Sequence, residues 1–78
     1  MPAPRRYYDY SDIMSILSVS RTKAWQYLRM FERWGLAFRE GKVLRVRMDF
    51  FDAYLDNPQE YAAKAEAQLR ATARRRMA

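Results

Sequence analysis

Asp9-Tyr10-Ser11-Asp12-Ile13-Met14-Ser15-Ile16-Leu17-Ser18-Val19-Ser20-Arg21-Thr22 is the stretch on which the fold turns. Asp9 is a good helix N-cap, and Asp12 follows at the capping-box position, where a carboxylate also suits the positive end of the helix. The spacing predicts a first helix from about Tyr10 to Leu17, with Ile13, Ile16 and Leu17 forming one apolar stripe. Ser18-Val19-Ser20 breaks that period, and the Ser20 hydroxyl is suited to accept an orphan N–H of the next helix. A second helix is predicted from about Arg21 to Trp34, burying Ala24, Leu28 and Phe31 with Trp25 and Tyr27 at the margins. Gly35 then stands where a left-handed C′ residue belongs. Two capped helices joined by a three-residue turn make a helix-turn-helix unit.

Beyond Gly35 the period falls to two. Leu36 to Arg47 reads as a β-hairpin turning at Glu40-Gly41-Lys42. Leu36, Phe38, Leu44 and Val46 are expected on the docked face, and Arg39, Arg45 and Arg47 on the other. Asp49 is expected to cap a third short helix that turns Phe50, Phe51, Tyr54 and Leu55 inward. Asn57-Pro58 marks the start of another helix, over residues 58–76. That segment is rich in good helix formers, but its apolar stripe is thin: Tyr61, Ala65 and Leu69. The expected fold class is mostly α with a small β-hairpin, a winged helix-turn-helix with an extra C-terminal helix. Residues 1–8 form a flexible arm, 9–56 the domain, and 57–78 the C-terminal helix with a basic tail. The expected buried set is Ile13, Ile16, Leu17, Ala24, Leu28, Phe31, Leu36, Leu44, Val46, Phe51 and Leu55.

A chain of 78 residues supports one small core, and its twelve aromatic residues help a short chain bury enough area. Without Cys or His it has no disulfide, no thiolate or imidazole metal ligand, and no histidine general base. Its serines therefore have no base to activate them. Asp49, Asp52 and Asp56 lack the spacing of a calcium loop. The expectation is no enzyme, no catalytic residue, no metal and no cofactor. No apolar run suggests a leader or membrane span, so a cytoplasmic protein without a membrane partner is expected. The net charge of +6 is segregated: residues 21–47 carry eight cations against two acids, residues 48–69 are net acidic, and Arg70, Arg74, Arg75 and Arg76 end the chain. Such segregation suits a polyanion.

The stretch from Asp9 to Thr22 resembles the opening of the MerR/excisionase-like winged-helix superfamily, where a capped apolar helix leads into Leu-Gly-Val-Ser-Arg-Ser/Thr. Ser18 replaces the usual Gly. Glu32-Arg33-Trp34-Gly35-Leu36 is similar to the Glu-Arg-x-Gly-Leu that enters the family's wing. Val43-Leu44-Arg45-Val46 and Phe51-Asp52-Ala53-Tyr54-Leu55 are similar to its second wing strand and closing helix. The resemblance covers about residues 9–55. Helix 2 is longer than the family norm by about one turn, which keeps its buried face in phase. The chain's size, without the long coiled coil of full MerR regulators, is that of phage and transposon excisionases. The resemblance implies sequence-specific binding and bending of double-stranded DNA, as a recombination directionality factor or a small regulator of a mobile element.

On that reading Arg21, Thr22, Lys23, Trp25, Gln26 and Arg29 form the recognition helix in the major groove, where Arg and Lys read guanine and Gln reads adenine. Arg39, Lys42, Arg45 and Arg47 form a wing on phosphate or the minor groove, and Arg74, Arg75 and Arg76 add nonspecific phosphate contacts. The competing readings are a solvated helix face, a wet hairpin face, core packing for Trp25, and a solvated tail. An integrase or recombinase, or self-association along DNA, is an expected further partner; a small-molecule substrate is not. The alternative is a protein-interaction adaptor whose basic face meets an acidic protein. RNA binding is a weaker third option, since no aromatic stacking sheet is evident in the sequence.

Overall fold

A computed structural model describes residues 6–77 of the chain, with side chains through Arg75. Four helices dominate: α1 (Tyr10–Leu17), α2 (Arg21–Arg33), α3 (Met48–Asp56) and α4 (Pro58–Met77). A small antiparallel sheet, in the order β1-β3-β2, is built from β1 (Tyr7–Tyr8), β2 (Ala37–Glu40) and β3 (Val43–Arg47). Tyr7 and Tyr8, expected in a flexible arm, instead pair with Arg47 and Val46 at the edge of the sheet.

Local chemistry sets the helix ends. The Asp9 carboxylate accepts from the Asp12 N–H at 3.1 Å while the Asp9 N–H donates to Asp12 Oδ2 at 2.9 Å, a complete capping box. Ser18 closes α1 at φ 54°, the left-handed conformation that Gly adopts more cheaply. Ser20 Oγ then accepts from the Lys23 N–H and opens α2. At the far end of α2, Leu36 N–H donates to Phe31 O and Gly35 N–H to Glu32 O, both at 2.9 Å. These paired bonds are a Schellman motif, and Gly35 supplies its positive φ of 79°. Asn57 and Glu60 exchange hydrogen bonds at the start of α4.

Two boundaries differ from expectation. Helix α3 starts at Met48 with Arg47 as its N-cap, so Asp49 lies inside the first turn, pairing with Arg47 instead of capping. The hairpin has a two-residue loop, Gly41-Lys42, with positive φ at Gly41 and at no other loop residue, the sign pattern of a type II′ turn. That loop sets Glu40 opposite Val43, Arg39 opposite Leu44, Phe38 opposite Arg45 and Ala37 opposite Val46. Residues directly opposite share a face. Ala37 and Arg39 therefore lie on the face of buried Leu44 and Val46, and Phe38 lies on the outer face with Arg45. The expected phase of β2 is inverted, because a one-residue shift turns every side chain over.

The core comprises Ile13, Ala24, Leu28, Phe31, Trp34, Leu44, Val46 and Phe51. Trp34 joins it although the sequence reading ended helix 2 there without placing it inside. Leu17, Leu36 and Leu55, expected inside, are half-buried against this core, and Ile16 is exposed. Ile16 fails because α1 is a single two-turn helix with one covered side, and Ile13 occupies it. Phe31 is the hub: its ring lies 5.3–6.0 Å from those of Trp34, Phe51, Tyr54 and Tyr61. Tyr61 carries α4 onto this cluster. Trp34 Nε1 donates to Glu66 Oε1 at 2.9 Å, and Arg33 binds the same carboxylate, so α4 is held to the end of α2 by charge as well. Burial raises the pKa of Tyr54 above the usual tyrosine range, with Tyr27 adding to it, and burial likewise raises that of Tyr61, with the Asp49 charge adding.

Two outcomes follow from this packing. Leu28→Ala removes a fully buried side chain and should cost ~2–5 kcal/mol in denaturant titration, whereas Ile16→Ala should cost under ~1 kcal/mol. A small loss for Leu28→Ala would mean that α2 is packed on a different face. The aromatic cluster should also make stability fall at alkaline pH. Tyr54 and Tyr61 have folded pKa values above their unfolded ones, so their contribution is complete below about pH 10 and is lost as pH rises through the raised values. Spectrophotometric titration should show late-ionising tyrosines in the native protein that merge with the rest in urea; a single native transition would contradict the cluster.

Candidate nucleic-acid interface

The buried residues of α2 recur at Ala24, Leu28 and Phe31, so at 3.6 residues per turn Thr22, Gln26, Arg29 and Arg33 lie on the opposite side. Arg21, Thr22, Lys23, Gln26 and Arg29 are all exposed. Thr22, Lys23, Gln26 and Arg29 form a polar face beginning at the helix N-terminus, with Arg21 on its flank beyond Trp25, and the first turn carries two cations and no acid. The helix dipole adds positive potential at that end. The Arg21 guanidinium sits 5.0 Å over the Tyr10 ring, which is stacked on Trp25 at 5.4 Å and 16°. Lys23 Nζ lies 5.7 Å over the Tyr27 ring. These rings steady the two cations without neutralising them. No carboxylate among the described residues pairs with Arg21, Lys23 or Arg29.

Trp25 is half-buried in the Tyr10 stack, and its indole N–H donates to no described residue. Arg33 continues the exposed stripe of α2 and was missed in the sequence; its spacing of four from Arg29 was the available signal. Its bond to Glu66 makes it part of the fold.

The hairpin is different. Arg39 Nε donates to Glu32 Oε2 at 2.8 Å, Arg45 Nη1 to Glu40 Oε2 at 3.2 Å, and Arg47 forms two bonds to Asp49 at 3.0 and 2.7 Å. The sequence suggests a hairpin of mutually repelling cations; each of its arginines instead has an acid, two of them from the flanking helices α2 and α3. Lys42, at the loop, has no acidic partner among the described residues. The pairs are exposed and worth about 0–1 kcal/mol each, so a phosphate can displace the carboxylate at little expense. Arg74 and Arg75 are exposed on α4, remote in sequence from both groups; the Arg76 side chain lies outside the described residues.

No family model, curated protein or solved structure matches this chain.

Among the described residues no cluster of three or more metal-ligating side chains occurs, and no helix is long and apolar enough to cross a membrane. What the arrangement can do is bind anions: Arg21, Lys23 and Arg29 of α2 have no acidic partner among the described residues and offer two-pronged hydrogen-bonding groups, and the hairpin offers charge held in reserve. Glu32→Gln should free Arg39 and raise affinity for random duplex DNA, steepening the salt dependence by about one unit if a new phosphate contact forms. Glu60→Gln makes the same change in net charge on α4, beside Lys64, and should leave that slope unaltered. Equal effects of the two substitutions would show that only net charge matters.

Proposed function

We propose that this chain binds double-stranded DNA in a sequence-specific way, as a winged helix-turn-helix protein that acts by binding alone and performs no catalysis. The observation that carries this reading is the solvent face of α2: Arg21, Thr22, Lys23, Gln26 and Arg29 exposed together, their cations without acidic partners among the described residues. A helix presenting its N-terminal polar face after a tight turn suits the major groove. Gln26 and the arginines suit base edges, while Lys42 and the exchangeable arginines of the hairpin suit phosphates. Trp25, stacked on Tyr10, gives the helix a stiff shoulder. Arg74 and Arg75 add nonspecific attraction. The resemblance of residues 9–55 to the MerR/excisionase-like winged-helix superfamily, together with the chain's excisionase-like size, supports a finer proposal, that binding bends DNA in recombination or in control of a mobile element. Cytoplasmic location and an integrase or further copies along DNA as partners belong to the same proposal.

The test starts by selecting a preferred site from random duplexes and titrating it against a scrambled duplex at several salt concentrations. A preference of at least ~10³ is expected. Arg21→Ala, Lys23→Ala or Arg29→Ala should cost ~1–3 kcal/mol on the preferred site and relax selectivity, whereas Arg45→Ala should weaken both duplexes alike. Energy transfer between labels at the duplex ends reads the bend. If no site is preferred and α2 variants bind as the wild type does, the adaptor reading, an acidic protein on the basic face, replaces this one.

A further inference from the structure

The outer face of the sheet takes no part in the core and none in the α2 surface. Tyr7 of β1 and Phe38 of β2 meet there across β3, ring centroids 5.2 Å apart at 85°, although their strands are separated by about 10 Å. Both remain exposed, Tyr7 at 37% and Phe38 at 42%. An edge-to-face pair leaves ring faces uncovered, since only one face of one ring is occupied by its neighbour. Arg45 lies opposite Phe38 and Arg47 opposite Tyr7 in the strand register, so both share this face. Arg6, which precedes Tyr7, has no acidic partner among the described residues. Two open hollows flank Tyr7: one of about 440 Å³ between Arg6, Arg47, Met48 and Asp49, and one of about 220 Å³ between Arg6, Asp9 and Arg45.

We propose that this face binds an unpaired stretch of nucleic acid, with bases stacking on Tyr7 and Phe38 and the adjoining phosphates meeting Arg6, Arg45 and Arg47. Charge and shape argue together for that occupant. Aromatic rings alone fit many apolar partners, but rings set beside Arg6, and beside Arg45 and Arg47 whose exposed pairs with Glu40 and Asp49 a phosphate can displace, suit a polyanion that also offers flat π-faces. A paired duplex hides its base faces, so the ligand must be single-stranded, frayed or locally opened. The inference does not require α2 to read duplex DNA. Both functions in one small domain would let it hold a duplex and an adjacent melted strand at once.

The full-length chain is titrated with fluorescent oligo(dT), oligo(U), an abasic phosphodiester strand of equal length, and a closed duplex hairpin. Oligo(dT) or oligo(U) should bind more tightly than the abasic strand, which matches their charge but has no bases; the better of the two identifies DNA or RNA as the source. Tyr7→Ala and Phe38→Ala should each weaken that binding about 5- to 100-fold, consistent with loss of a stacked base, and leave abasic binding unchanged. Tyr7→Phe and Phe38→Tyr should keep wild-type affinity, which guards against a misfolded alanine variant. Arg29→Ala should weaken the duplex hairpin but not the single strand, so failure of this proposal and failure of duplex recognition are separately visible. Equal affinity for based and abasic strands, or unchanged oligonucleotide binding in Phe38→Ala, overturns it.

Discussion

The ring of Phe31 is the constraint on which the rest of the molecule depends. It is wholly buried and touches aromatic rings from the end of its own helix, from α3 and from α4. In a chain this short a core of small aliphatics would bury too little area, so a few large rings carry much of the apolar contact. Because Phe31 is also the residue whose carbonyl accepts from Leu36, the same position fixes how the chain leaves α2 and enters the sheet. Packing and chain direction are thus coupled at one residue. The Glu66 carboxylate adds a second hold on that end of α2, binding the Trp34 indole N–H and the Arg33 side chain. It anchors a C-terminal helix whose own apolar stripe is narrow.

Once α2 is fixed by its buried side, its charge is sorted by geometry. Arg33, beside the Glu66 carboxylate, and Glu32, within reach of β2, are used internally. Arg21, Lys23 and Arg29 form no ion pair with an acid among the described residues. The concentration of positive charge on α2 therefore reflects not only how many cations the segment has but which of them the fold leaves without a partner. On the hairpin the arithmetic runs the other way. A segment rich in arginine is made nearly neutral by Glu32, Glu40 and Asp49, while its outer face gains two exposed rings.

The outer sheet face shows where reading a period fails. In Leu36-Ala37-Phe38-Arg39 either phase is plausible from hydrophobicity, since each offers at least one apolar residue to the core. Leu36 belongs to the helix-ending motif and not to the strand, so counting inward positions from it places Phe38 on the wrong side. The two-residue loop was the better guide: closing the hairpin at Gly41-Lys42 forces Phe38 opposite Arg45. Tyr7 was missed for a different reason. A two-residue strand has no period to detect, and it exists only because β3 offers an open edge to pair with.

By itself the sequence determined the helices and most of their ends, the start of α3 excepted. Asp9 and Asp12, Ser20, Gly35 and Asn57-Pro58 act through bonds to atoms a few residues away, and such bonds do not depend on the rest of the chain. It determined equally that Ala24, Leu28 and Phe31 are buried and that Thr22, Gln26 and Arg29 lie on the opposite side, because one helical period governs both. Only the tertiary structure decided that Trp34 is inside and Ile16 outside, that Tyr7 meets Phe38, and that the hairpin arginines and Arg33 are paired while Arg21 and Arg29 have no acidic partner among the described residues. Each of those outcomes depends on an atom from a distant part of the chain arriving within a few ångströms. Local periodicity cannot specify which surfaces are covered or which charges find partners; that requires the three-dimensional closure of the fold.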